Sequence, residues 1–150
     1  MLFRSGDAEA TNFGDGQFDL IVCIGVLHHL DVNKAFKELH RILKPGGSIV
    51  AFEALGYNPI IQAYRRLTPH LRTDWEKDHI LKNRDIKIAM KYFSGVKIKY
   101  FHLLNLILFP FTNAFFFKPA LRLLTNIDKV ILKIPLLRLM AWQMVFQLKK

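Results

Sequence analysis

An α/β fold is predicted by three neighbouring features. Phe18 to Gly25 (Phe-Asp-Leu-Ile-Val-Cys-Ile-Gly) is a nearly continuous apolar run of strand length, β-branched in its middle. Such a run suits a parallel strand covered on both faces. Asp31 to Leu43 then places Val32, Ala35, Phe36, Leu39, Ile42 and Leu43 at helical spacing. Lys34, Lys37, Glu38 and Arg41 lie largely opposite, which makes an amphipathic helix with Asp31 as N-cap. Ser48 to Phe52 resumes as a second buried strand. Strand, helix and strand in this order form a β-α-β unit.

The connections follow from local chemistry. Lys44-Pro45-Gly46-Gly47 stops the helix and turns the chain, because proline cannot extend a helix and glycine takes left-handed conformations cheaply. Asn58 to Leu67 is predicted helical, Thr68 to Asn83 a polar loop or lid, and Asp85 to Phe93 a further helix. Val96 to Leu108 is predicted to be a strand, with Lys97 and Lys99 alternating against Val96, Ile98 and Tyr100. From Pro119, Leu123, Leu124, Ile127, Val130, Ile131 and Ile134 share one helical face, with Arg122, Asn126, Asp128, Lys129 and Lys133 on the other. Pro135 is expected to end this basic helix, and Ala141 to Leu148 to supply the last strand.

Composition bounds the class. With 150 residues, 51% of them hydrophobic, one globular domain with a real core is expected. Lys and Arg number 22 against 12 Asp and Glu, a net charge of +10 that favours anionic lipid, nucleic acid or an acidic substrate. The lysines and arginines are interleaved with apolar faces instead of gathered into a recognition motif, so no specific nucleic-acid partner is expected. Cys23 is the single cysteine, which excludes an internal disulfide and fits a cytoplasmic location. The histidines, at 28, 29, 40, 70, 79 and 102, show no ligand spacing of a structural zinc type, so no metal is expected. Oligomeric state leaves no signature.

Chemistry is concentrated near the amino terminus. Gly6-Asp7-Ala8-Glu9 precedes the first apolar strand, and an acidic residue at a strand's carboxyl end lies over the crevice where open α/β sheets bind ligands. Its carboxylate can accept from an exocyclic amino group; an Asx turn that merely ends a strand explains the same residues. Gly-Asp-Ala-Glu, Phe-Asp-Leu-Ile-Val, Val-Leu-His-His-Leu and Leu-Lys-Pro-Gly-Gly occur in compact succession. Together, over about residues 2 to 54, they closely resemble class I S-adenosylmethionine-dependent methyltransferases, of the small-molecule or lipid kind that includes quinone-biosynthesis enzymes.

The resemblance implies a partial Rossmann-like sheet, mostly parallel with an antiparallel last strand, and a helical apolar cap. It implies S-adenosylmethionine as cofactor, with Asp7 on the adenine amino group, Ala8 meeting the ring through its backbone, and Ile24 and Gly25 lining the cofactor beyond the strand. The family's upstream glycine-rich turn and ribose-binding acidic residue have no counterpart before Asp7. The chain is therefore expected to be one truncated domain: 1–56 cofactor side, 57–95 helical and loop substrate side, and 96–150 strand, apolar and basic helical insertion and final strand. As a fragment it is expected to be impaired and prone to aggregate through its stripped sheet.

His28 and His29 follow the strand that faces the transferred methyl group in that family. Either could orient a substrate or act as general base, and either could equally cap the next helix or pack beneath the cofactor. Arg65, Arg66, His70 and Arg72 form a basic cluster where the family places substrate-facing elements, with Tyr57, Tyr64 and Trp75 nearby. Of these, Tyr57, Tyr64, Arg65 and Arg72 are the candidate substrate-binding residues; a solvated face and ordinary packing explain the same pattern.

Between Lys99 and Lys118 no Lys, Arg, Asp or Glu occurs, and Phe109, Phe111, Phe115, Phe116 and Phe117 crowd its second half. A buried strand running into a helical cap is expected, in preference to a membrane span. A lipophilic methyl acceptor fits this cap, and so does peripheral contact with an anionic membrane through the basic helix beyond it. The competing functional class is a non-catalytic, membrane-associated binding or interaction module derived from the same fold.

Overall fold

The computed structural model describes residues 5–71, 74 and 79–150. Four strands, β1 (Phe18–Ile24), β2 (Leu43–Ala54), β3 (Gly95–Phe101) and β4 (Gln143–Lys149), form one sheet in the order β1-β2-β4-β3. β2 runs parallel to β1, and β4 is antiparallel to both β2 and β3, so three strands share one direction and only the last is reversed. The α/β class and the antiparallel last strand are thus as the sequence implied. Helices α1 (Val32–Ile42), α2 (Pro59–Leu67), α3 (Asn83–Ala89) and α4 (Phe117–Ile131) connect them, with short 3-10 turns at Leu27–His29, Pro69–Leu71, Asn105–Phe111 and Leu137–Met140.

Period-two alternation decides which face of the sheet is covered. Cys23, Ile49, Ala51, Met144, Phe146 and Leu148 point to one face and are buried with Ala35, Phe36, Leu39 and Ile42 of α1 and Ile86 and Ala89 of α3. Each large side chain buried there contributes about 1.5–3 kcal/mol of transfer free energy. The opposite face of β1 carries Leu20, Val22 and Ile24, all more than half exposed. β1 pairs only with β2 among the described residues. It is an edge strand with an apolar outer face, and the expectation that it would be covered on both faces is not met.

Helix α1 begins where its N-cap says it should: the Asp31 carboxylate accepts from the Asn33 and Lys34 amides, satisfying donors that have no intrahelical partner. It ends at Ile42, and the Lys44-Pro45-Gly46-Gly47 segment bulges out of the β1–β2 ladder, whose pairing jumps from Phe18↔Leu43 to Leu20↔Ser48. Gly46 takes φ +77° there, a value costly for any residue with a Cβ. Strand β2 therefore starts earlier than predicted, with the turn enclosed as an irregularity in its ladder.

Three expectations are corrected beyond residue 96. β3 ends at Phe101 instead of reaching Leu108, because His102 adopts φ +63° and the chain turns into the 3-10 segment. That segment is held by Asp128, whose carboxylate accepts from the amides of Leu103, Leu104 and Asn105. Asp128 is thus buried at 3% exposure instead of lying on the outer polar face. Helix α4 runs from Phe117 to Ile131, two residues ahead of the expected start and short of Pro135. Leu123, Val130 and Ile134, from the apolar face of this helix, are exposed. No helix among the described residues is long and apolar enough to cross a membrane.

Candidate functional site

The carboxyl end of β1 gathers most of the predicted chemistry. Ile24 is largely exposed, and Gly25 follows with φ +59° and no heavy atom within 4 Å of where a Cβ would stand. The Gly25 amide bonds to the Phe52 carbonyl, which fixes the turn to β2. The backbone here is open on its outer side, as close approach by a ligand requires.

The Gly6-Asp7-Ala8-Glu9 turn reaches the same end of the sheet. Glu9 Oε1 accepts from the Asp31 amide at 2.7 Å, clasping the turn to the start of α1. Asp7 Oδ1 accepts from the Glu9 amide at 2.8 Å, so the Asx turn is real. Asp7 remains exposed, and with Ala8, Thr11 and Phe13 it borders a pocket of about 260 Å³. An exposed carboxylate in a pocket shared with an apolar ring can accept from a ligand that offers an amino group.

Downstream, the segment 11–17 is pinned onto α1. Glu38 Oε1 accepts from the amide and hydroxyl of Thr11, and Arg41 bridges Glu38, Asp15 and the Thr11 carbonyl. The Arg41 guanidinium and the Thr11 donors hold the Glu38 carboxyl down to about 2, against the desolvation that opposes them. A hollow of about 860 Å³ borders this network, but it lies toward Gly16 and Pro45 at the amino ends of β1 and β2. Glu38 and Asp15 there are already paired with Arg41, so it is the weaker candidate despite its size.

The two histidines separate in role. His28 is half-buried, and its Nδ1 lies 2.8 Å from Oε2 of Glu53. Glu53 is fully buried; its other oxygen, Oε1, accepts from the Val26 and Leu27 amides at 2.9 and 2.8 Å. The carboxylate therefore fixes both the backbone of the β1–α1 turn and the imidazole that follows it. With a carboxylate at Nδ1, that nitrogen carries the proton and Nε2 is the basic one. His29 is exposed, its ring 4.1 Å from that of His28. Cys23 is buried, and desolvation first, then the Glu53 charge, push its thiol up to about 11, which excludes it as a nucleophile at neutral pH.

His28 opens on a pocket of about 250 Å³ whose other wall is the segment 79–85, contributing His79, Lys82 and Arg84. Gly56 brings that wall in: a Cβ at this position would stand 2.6 Å from Ile80 Cγ2, and its amide bonds to the Leu81 carbonyl. Tyr57 is tied to the same wall through its hydroxyl, which accepts from the Asn83 amide. Tyr64 and Arg65 lie on α2, none of whose residues is buried, and neither lines the pocket. Arg72 and Trp75 lie outside the described residues. Among the described residues no group of His, Cys, Asp and Glu is arranged to hold a metal ion.

A methyltransferase domain profile matches residues 1–51. Over 52 residues the chain is 42% identical to the demethylmenaquinone methyltransferase of Thermus thermophilus, covering 34% of this chain and 24% of that protein. This part of the chain is similar to methyltransferase domains. A methyltransferase of Thermotoga maritima, described as a possible histamine N-methyltransferase, superposes with a TM-score of 0.62 at 16% identity, over 97% of this chain and 61% of that one. The geranyl diphosphate C-methyltransferase of Streptomyces coelicolor superposes with a TM-score of 0.58 at 18% identity, over 97% of this chain and 51% of that one. At these identities the superpositions establish the fold. The aligned sequence spans less than a third of the length of the curated relatives it matches.

Glu53, His79, Lys82 and Arg84 are the site residues that sequence reasoning missed. Glu53 had a signal: a carboxylate ending the otherwise apolar run from Ile49 must be paired if it is buried. The 79–85 wall had none, because only the tight packing at Gly56 brings it to His28.

Proposed function

We propose that the protein takes part in S-adenosylmethionine-dependent methyl transfer to a small, lipophilic acceptor. The observation that supports this reading is the Glu9–Asp31 hydrogen bond, which ties the Asp7 turn to the N-cap of α1, just after the segment that leaves β1 through Gly25 and His28. Asp7 would accept from the adenine amino group, Ala8 would meet the ring through its backbone, and Ile24 and Gly25 would line the cofactor. When bound, the cofactor supplies a methyl group on a sulfonium, ready for in-line displacement.

The chain's own contribution is position and one proton. His28 Nε2 would take the proton from an acceptor hydroxyl as its oxygen attacks, and Glu53 would stabilise the imidazolium so formed. General-base help of this kind is worth about 10²–10⁴-fold, with alignment of the reacting groups supplying much of the rest. A lipophilic acceptor is favoured by the apolar part of the pocket beside His28, where Leu27, Leu30, Val32, Ile80 and Leu81 line the wall. The names of relatives that methylate a menaquinone precursor and geranyl diphosphate point the same way.

The test is transfer of a labelled methyl group from S-adenosylmethionine to a panel containing a prenylated hydroquinone, a short-chain phenol and a polar amine. Preference for the prenylated hydroquinone, lost in His28→Ala, is the expected result. Equal transfer to the polar amine would overturn the acceptor class.

A further inference from the structure

Helix α4 has two apolar sides, and only one of them is used by the fold. Leu132, just beyond the helix, and Asp128 are buried against the 3-10 segment, with Leu124 half-buried beside them. Leu123 and Val130, seven residues apart and so on one stripe, point the other way, with Val130 65% exposed. Phe109 and Phe115 before the helix and Ile134 and Leu136 after it are exposed apolar residues as well, Phe115 at 96%.

The charge of this region is of one sign. From residue 86 to the end, Asp128 is the only acidic residue, and its carboxylate is turned inward onto the amides of residues 103–105. Lys118, Arg122, Lys129, Lys133 and Arg138 are all exposed. Arg122 and Lys129 flank the Leu123–Val130 stripe at helical spacing. Within residues 86–150 every exposed charged side chain is therefore a cation.

From this we infer that the face formed by α4 and the residues flanking it is a docking surface for an anionic lipid membrane, with Leu123, Val130 and Phe115 entering the interface and Arg122, Lys129 and Lys133 meeting the headgroups. Charge complementarity selects this occupant. A second copy would bring like cations together, which disfavours self-association, and nucleic acid would meet the cations but leave the apolar stripe in water. The inference is independent of the methyl-transfer reading, and its test does not require activity.

Co-sedimentation of the chain with vesicles of phosphatidylcholine alone, and with phosphatidylglycerol added, reads it directly. Binding is expected only where phosphatidylglycerol is present, and should fall as salt is raised because the attraction is screened. Changing Arg122, Lys129 and Lys133 to Gln should weaken it by roughly fivefold for each cation removed. Leu123→Ser with Val130→Ser should weaken it by about tenfold or more with every charge in place. Equal binding to neutral vesicles, or no effect of either set of substitutions, would overturn the inference. So would a concentration-dependent dimer dissociated by Val130→Glu, which places a second copy on this face, and so would displacement by an oligonucleotide with no effect of the serine pair.

Discussion

The imidazole of His28 and the buried carboxylate of Glu53 meet at 2.8 Å, Nδ1 to Oε2, at the turn that leaves β1. Glu53→Gln separates the roles of that carboxylate. The amide oxygen can still accept from the Val26 and Leu27 amides, but the NH₂ group then faces Nδ1 and selects the opposite tautomer. Nitrogen chemical shifts of the His28 ring should report the Nδ1–H form in the native protein and the Nε2–H form in the variant, with unfolding free energy changed little. Methyl transfer should fall by about 10²–10⁴-fold. Glu53→Leu, by contrast, should lower stability in urea by about 1–3 kcal/mol for each amide left without an acceptor. An unchanged His28 tautomer in Glu53→Gln would remove the positioning role.

Stability should depend on acid through Glu38. Its folded value, about 2, lies below the ordinary carboxylate value of 4.5, so the folded state binds the proton less readily than the unfolded chain does. The stabilisation is complete above about pH 5, where the unfolded chain is also ionised, and is lost as pH falls toward 2. Glu38→Gln should cost on the order of 2 kcal/mol at pH 7 and progressively less on acidification. Urea unfolding from pH 7 to pH 2.5 measures this, and parallel curves for the two proteins would refute it.

Cys23 should be silent in the native state. Its thiol is buried and its ionisation is pushed up to about 11, so little thiolate is present at pH 8. A disulfide reagent should react with it only as fast as the sheet opens, and at the full rate of a free thiol in denaturant. Immediate modification without denaturant would show that the covered face of β1 is not closed.

Asp128 should govern the cap of residues 102–111 and not the core. Asp128→Ala leaves the amides of Leu103, Leu104 and Asn105 without their acceptor, at a cost of about 1–3 kcal/mol for the group. Hydrogen exchange should accelerate at those three amides while protection in β2 and β4 is kept. Uniform acceleration across the sheet would mean that the cap and the core unfold as one.

Elements governed by local period were legible in the sequence: β1, α1 and its Asp31 cap, and β4 sit within two residues of their expected bounds. The departures share a physical cause, which is a polar group used inside the fold. Asp128 matches the outer polar face of a helical wheel, and only the unsatisfied amides after His102 draw it inward. His102 takes a left-handed backbone that no pattern of neighbours announces, and so β3 stops at Phe101. In the site, Asp7, Gly25 and His28 were legible as residues, whereas Glu53 and the 79–85 wall depend on contacts between segments distant in sequence. The link between the Asp7 turn and the start of α1 likewise needed the Glu9–Asp31 bond to be seen.

In the proposed function the carboxyl end of β1, with the Asp7 turn tied to the N-cap of α1, binds the cofactor. Calorimetric titration of S-adenosylhomocysteine into the chain, into Asp7→Ala and into Gly25→Val tests it most directly. The account expects binding that Asp7→Ala weakens about tenfold, as for loss of one charge-assisted hydrogen bond, and that Gly25→Val abolishes by strain at φ +59° and by filling the open side. No binding by the unaltered chain, or binding that neither substitution changes, would contradict it.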